Sequence, residues 1–155
     1  MIQIEPLTRE AFAPFGDVIE VAGARQFEIN SGFTTRVHDL CQTQALGTDA
    51  RVIVNFFLGR PRPLEVKMLE AHPYGSQAFI PMQTRDWWVV VAEEPKLDAV
   101  RVFRAKGNQG VNYRAGVWHH PLLVDAEQDF IVIDRDGDEK NLEEVFFDGS
   151  LTFSQ

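Results

Sequence analysis

The stretch Leu64-Glu65-Val66-Lys67-Met68-Leu69-Glu70-Ala71-His72-Pro73-Tyr74-Gly75-Ser76-Gln77-Ala78-Phe79-Ile80-Pro81-Met82 reads as strand, turn and strand. The runs at 64–72 and 77–82 have strand composition, and Pro73-Tyr74-Gly75-Ser76 between them is turn punctuation. Side chains two apart on a strand share a face. Val66, Met68, Glu70 and His72 are therefore expected on one side, with Glu65, Lys67, Leu69 and Ala71 on the other. An acid and an imidazole project together from the end of one strand.

The same grammar repeats along the chain. Further β-rich runs fall at 26–29, 34–40, 51–58, 87–92, 99–104, 110–114, 119–124 and 129–134. They are divided by Gly59-Arg60-Pro61-Arg62-Pro63, Glu93-Glu94-Pro95 and Lys106-Gly107-Asn108. One helix is signalled, where Thr8 stands three residues before Ala11 as a capping hydroxyl, and it should end before Pro14 or Gly16. A parallel α/β fold needs crossover helices, and the sequence has no pattern for them. The expected architecture is all-β, a sandwich or closed barrel with a short N-terminal helix.

The 155 residues, with a 45% hydrophobic share and 12 Phe, suit a single domain over 1–155 with one sizeable core. A formal charge of -8 repels phosphate backbones and anionic lipid, which argues against nucleic-acid or membrane partners. No apolar run approaches the roughly 20 residues of a membrane span, the N-terminal residues lack a signal-peptide layout, and Cys41 is the single cysteine. A cytoplasmic protein is expected. The acidic run from Asp134 to Glu144 places Gly137 before Asp138, out of step with a calcium loop, and reads as a solvated turn.

The segment from Glu70 to Gln77, taken with Arg114-Ala115-Gly116-Val117-Trp118-His119, resembles the paired motifs of the cupins. In those proteins a His-x-His pair, a carboxylate five residues later and a distant histidine after a Gly-x-x step converge on a metal inside a barrel. The corresponding positions here are Glu70, His72, Gln77 and His119, a degraded version of the set. Two imidazoles, one carboxylate and one amide form a nitrogen and oxygen site suited to a divalent ion such as nickel, manganese or zinc. The competing reading makes His72 and His119 hydrogen-bonded interior residues without metal. Because His119 and His120 are adjacent, an extended chain points them to opposite faces, and spacing leaves open which one serves the site.

Longer strings narrow the resemblance. Glu-Ala-His-Pro-Tyr-Gly-Ser-Gln-Ala-Phe-Ile-Pro-Met at 70–82 and Gly-Val-Asn-Tyr-Arg-Ala-Gly-Val-Trp-His-His-Pro-Leu at 110–122 are similar to those of the ureidoglycolate lyase family, and shorter matches run in order along nearly the whole chain. This resemblance implies a cupin-like β-barrel, a double-stranded β-helix, that cleaves (S)-ureidoglycolate to glyoxylate and urea in allantoin breakdown. It implies a homodimer and no organic cofactor. Glu70, His119 and His120 are the candidates for acid and base, and His72, Gln77, His119 and Glu70 for metal ligands. Arg36 is the first candidate to hold the substrate carboxylate, ahead of Lys67 and Arg114. Asn30 is the candidate for the urea end, and Trp118 for a pocket wall. Each has a plain alternative: an exposed strand residue, a turn residue and a core aromatic, respectively. Cys41 lies three residues from His38, which puts the two on opposite strand faces and disfavours a thiol nucleophile. Two other functions stay open, an amidohydrolase releasing ammonia and a non-catalytic cupin that binds a small carboxylate.

Overall fold

The computed structural model describes residues 2–155. Its strands are β1 (Ile4–Pro6), β2 (Gly16–Ile19), β3 (Arg25–Ile29), β4 (Thr34–His38), β5 (Arg51–Gly59), β6 (Glu65–Ala71) and β7 (Gln77–Pro81), followed by β8 (Trp87–Ala92), β9 (Val100–Ala105), β10 (Gly110–Tyr113), β11 (Trp118–His119), β12 (Gln128–Asp136) and β13 (Glu143–Thr152). The helix α1 (Arg9–Phe12) starts where the sequence signals it, with the Thr8 hydroxyl accepting from the Ala11 amide at 3.2 Å. No helix among the described residues is long and apolar enough to cross a membrane.

The strands form a six-stranded sheet in the order β1-β9-β8-β11-β6-β13, a five-stranded sheet in the order β2-β10-β7-β12-β5, and the separate hairpin β3-β4. Strands adjacent in the sheets are mostly distant in the chain. Alternation along β8 shows how the sheets are held. Trp87, Val89 and Val91 join Phe79, Phe103, Phe130 and Val132 in a core drawn from both sheets, while Trp88, Val90 and Ala92 join Val66, Leu69, Val102 and Phe153 on the other side of the six-stranded sheet. β8 is thus buried on both faces, which accounts for its uninterrupted apolar sequence. Helix α1 closes one part of the first core through Phe12, whose ring meets Phe103 edge-on at 5.8 Å.

Three sequence expectations need correction. Val66 falls in the same cluster as Leu69, not on the face of Glu70, so alternation along β6 breaks between them, at the level where the β6–β13 pairing shifts register. The expected strand at 119–124 is limited to Trp118–His119, since Pro121 cannot donate to a ladder; only an isolated bridge, Trp88 to Leu123, continues it. The run 34–40 stops at His38, where Asp39 turns to a positive φ of 57°. Strands β1, β2 and β13 carry no clear sequence signal. β13 contains Asp148-Gly149-Ser150, which reads as a turn, and it leaves Phe146 71% exposed.

Phe130 is fully buried, and its ring centroid lies 4.8 Å from Trp87 and 6.2 Å from Phe79, so it bridges the two sheets. Phe130→Ala should lower the free energy of unfolding by about 3–5 kcal/mol, read from denaturant titration. A loss under about 1 kcal/mol would show that the two sheets do not depend on this contact.

Candidate active site

Two cross-strand pairs, one from each sheet, build the site. In the six-stranded sheet His119 of β11 lies directly opposite Glu70 of β6. In the five-stranded sheet Tyr113 of β10 lies directly opposite Gln77 of β7. Partners in a ladder present their side chains on one face, and here both pairs face the interior. The His119 imidazole crosses the gap between them. Its ring stacks on Tyr113 at 4.2 Å and 11°, and its Nε2 lies 3.1 Å from Gln77 Oε1 and 3.5 Å from Glu70 Oε1.

His72 completes the group from the turn after β6. Its Nε2 is 3.8 Å from Glu70 Oε1, and its ring centroid is 5.1 Å from that of His119. The turn before β11 is tied to the same place: Gly116, at a φ of 83° that favours glycine, donates its amide to the His72 carbonyl at 2.9 Å. The two separated motifs therefore share one backbone hydrogen bond.

Tautomers follow from the partners. A carbonyl oxygen only accepts, so the 2.8 Å contact from His72 Nδ1 to the Asn141 carbonyl and the 2.9 Å contact from His119 Nδ1 to the Val117 carbonyl both require a proton on Nδ1. In each ring Nε2 is left to face Glu70. Burial by itself would raise the Glu70 carboxyl. The neighbouring imidazoles, His119 first and then His72, outweigh that effect when they carry a second proton and hold it below the ordinary carboxylate range. Glu70 is ionised at neutral pH. Burial, and then the Glu70 charge, push the Tyr113 hydroxyl well upward, so it keeps its proton.

The group Glu70, His72 and His119 could hold a metal ion, with one ligand atom from each lying within 4.8 Å of the others. The residues fit that role. His72 Nε2 is buried and has no hydrogen-bond partner among the described residues, which is costly for a polar atom unless something else occupies its lone pair. Both imidazoles are anchored through Nδ1 to backbone carbonyls, the outer-shell arrangement of metal-ligating histidines. Bonds of roughly 2.0–2.2 Å to a tetrahedral ion set ligand atoms about 3.3–3.6 Å apart, close to the separations across Glu70, His119 and His72.

The other candidates lie elsewhere. His120 is buried, donates from Nδ1 to the Pro121 carbonyl at 2.7 Å, and has its basicity lowered chiefly by burial. Trp118 points away from its neighbour His119 and packs against the cluster that contains Trp88 and Leu69. Arg36 is exposed on β4 with its guanidinium over the Phe27 ring at 5.7 Å, and Asn30 is exposed with its amide on the Thr34 hydroxyl at 3.1 Å. Arg114 donates to the Ala13 and Pro14 carbonyls, and Lys67 pairs with Glu65 at 3.3 Å. Burial first, then the charges of Asp17 and Asp39, raise the Cys41 thiol, so it is not poised as a nucleophile. Two residues at the site escaped the sequence reading. Tyr113 was reachable, since it ends a strand within the quoted 110–122 string, whereas Asn141 sits in the acidic run that reads as a solvated turn.

A protein-family model described as ureidoglycolate lyase matches residues 1–154. The ureidoglycolate lyase of Brucella anthropi is 57% identical over 149 residues, covering 93% of this chain and 88% of that one. The enzyme of the same name from Burkholderia mallei is 56% identical over 155 residues, covering 97% and 91%. A solved structure of oxalate decarboxylase aligns with 61% of this chain and 23% of its own, at 12% identity and a TM-score of 0.39. The chain belongs to the ureidoglycolate lyase family.

Proposed function

We propose that the chain cleaves (S)-ureidoglycolate to glyoxylate and urea, with Glu70 as the proton carrier. The observation that carries this reading is an ionised carboxylate held among two imidazoles whose Nε2 atoms face it. In the substrate, one carbon bears both the hydroxyl and the urea nitrogen. Cleavage removes the hydroxyl proton, forms the aldehyde C=O, breaks the C–N bond and places a proton on the departing nitrogen. A single carboxylate next to that carbon can take the first proton and deliver it to the nitrogen, so the proton count closes without a second acid. His120, kept neutral by burial, is a poor proton donor near pH 7 and is assigned to packing.

A divalent ion of nickel, manganese or zinc would be held by His72 Nε2, His119 Nε2 and a Glu70 oxygen, with Gln77 Oε1 as a further donor. When bound, it would polarise the substrate hydroxyl and attract its carboxylate. Tyr113 keeps the His119 ring flat against its own and limits its rotation. Asn30 and Arg36, on the exposed hairpin, could meet substrate only through movement of that hairpin or in an assembly.

The assembly we favour is a homodimer. β5 is an edge strand whose Val52, Val54, Phe56 and Leu58 are each 43–67% exposed, and the half-buried Ile133 and Ile131 lie opposite Val54 and Phe56 on β12. A contiguous apolar face along an open edge favours a self-complementary two-fold contact.

Incubation with (S)-ureidoglycolate should release urea and glyoxylate without ammonia. Ammonia would select the amidohydrolase, and neither product a binding protein. Glu70→Gln should lower kcat by about 100-fold or more while leaving the thermal midpoint nearly unchanged; turnover near that of wild type would remove Glu70 from the chemistry. Dialysis against a chelator should lower turnover, and one of the three ions should restore it. Phe56→Asp should convert a dimer to a monomer in sedimentation velocity, and a wild-type monomer would refute the assembly.

A further inference from the structure

We propose that Asn141 is a positioning residue that decides which nitrogen of His72 faces Glu70. Asn141 grips the turn after β6 at two points. Its backbone carbonyl accepts from His72 Nδ1 at 2.8 Å, and its side-chain Oδ1 accepts from the Tyr74 amide at 2.7 Å. The first contact sets the tautomer and the ring orientation, leaving the Nε2 lone pair toward the carboxylate. The second holds the carbonyl where the first requires it. Any residue supplies a carbonyl, but the side-chain acceptor is particular to this one.

The segment that carries Asn141 is itself fastened. The Arg135 side chain is 1% exposed, and it donates from Nη2 to Glu139 Oε1 at 2.7 Å, from Nη1 to the Glu139 carbonyl at 3.1 Å and from Nε to the Leu46 carbonyl at 2.9 Å. The guanidinium also lies 5.3 Å from the centre of the Tyr74 ring. The Glu139 carboxylate accepts from the Thr48 amide at 2.9 and 3.0 Å. The 46–48 and 139–141 segments and the β6–β7 turn are therefore joined around one buried cation. At Gly75 a Cβ would sit 2.4 Å from the Arg135 Cβ, so the turn packs directly on the clamp. Asn141 is where this frame reaches the imidazole.

The proposal rests on the lyase reading for its kinetic arm only; its spectroscopic arm is independent of the reaction. In the full chain dialysed against a chelator, nitrogen-15 imidazole spectra at a pH where the ring is neutral should show His72 protonated on Nδ1, with Nε2 unprotonated. In Asn141→Ala that signature should become a mixture of tautomers, and kcat should fall roughly 10–100-fold with KM changed less than about threefold. Asn141→Asp keeps an oxygen toward the Tyr74 amide and should restore both readouts to near wild type. An Nε2-protonated His72 in the wild-type chain overturns the proposal even if no variant folds. So does Asn141→Ala with the wild-type signature and turnover. A chain that releases no urea but keeps the Nδ1 signature, lost in Asn141→Ala and regained in Asn141→Asp, would sink the lyase reading and leave this inference standing.

Discussion

The arrangement turns on the pairing of Glu70 with His119 across β6 and β11. A half-buried carboxylate against an apolar interior is costly unless its charge is compensated, and the groups that face Glu70 are imidazole Nε2 atoms, not arginine or lysine, so compensation depends on what those atoms carry. An imidazole performs that service only in the right orientation. His119 is therefore fastened twice, by its Nδ1 on the Val117 carbonyl and by its ring on Tyr113, and His72 is fastened through Asn141. Much of the surrounding fold can be understood as the means of keeping these rings from turning. The left-handed turn at Gly116, the clamp at Arg135 and the closing of the two sheets over Phe130 and Trp87 all bear on that one requirement.

The two sheets make different contributions. The six-stranded sheet supplies the chemistry-bearing pair, and its far side is covered by Trp88, Leu69 and Phe153, so β6, β8 and β11 are braced from behind. The five-stranded sheet supplies Gln77 and Tyr113, groups that stay uncharged, and leaves the outer side of β5 bare. An element packed on both sides opens rarely, and one with an exposed face opens more readily. The Glu70–His119 pair, 3.5 Å apart, lies on the braced sheet, where local opening is rarer.

The degree to which this was legible in the sequence follows from how local each determinant is. Glu70 and His72 were readable as neighbours because two-residue alternation is a property of the strand end itself, even though parity fails farther back at Val66, where β13 bulges. The choice between His119 and His120 was not readable, since alternation gives their relation to each other and not to the barrel. The ladder sets His119 opposite Glu70. Gln77 lies beyond a Pro/Gly turn that erases parity, yet it reaches His119 because β7 begins with it opposite Tyr113. Asn141 was hidden for a different reason. Its role depends on contacts with residues nearly 70 positions away, and in sequence it looks like any polar residue in an acidic loop. Asn30 and Arg36 are chemically apt side chains that the fold places on the exposed β3–β4 hairpin, Asn30 in its turn and Arg36 on β4, apart from the Glu70 group.

Charge balance at the cluster supplies the last constraint. The substrate brings a carboxylate to a site that already holds ionised Glu70, and two unit negative charges about 4 Å apart repel by roughly 4 kcal/mol even at an effective dielectric of 20. Arg114 and Lys67 are committed to the Ala13 and Pro14 carbonyls and to Glu65, so neither offsets that repulsion. Positive charge at the Nε2 atoms of His72 and His119, as a proton or as a metal ion, would offset it. The buried, unpartnered lone pair on His72 Nε2 favours the ion, since a proton there would meet Glu70 at 3.8 Å, too far for a hydrogen bond. An ion there would be held by His72, His119 and Glu70 and would supply the positive charge that offsets the repulsion.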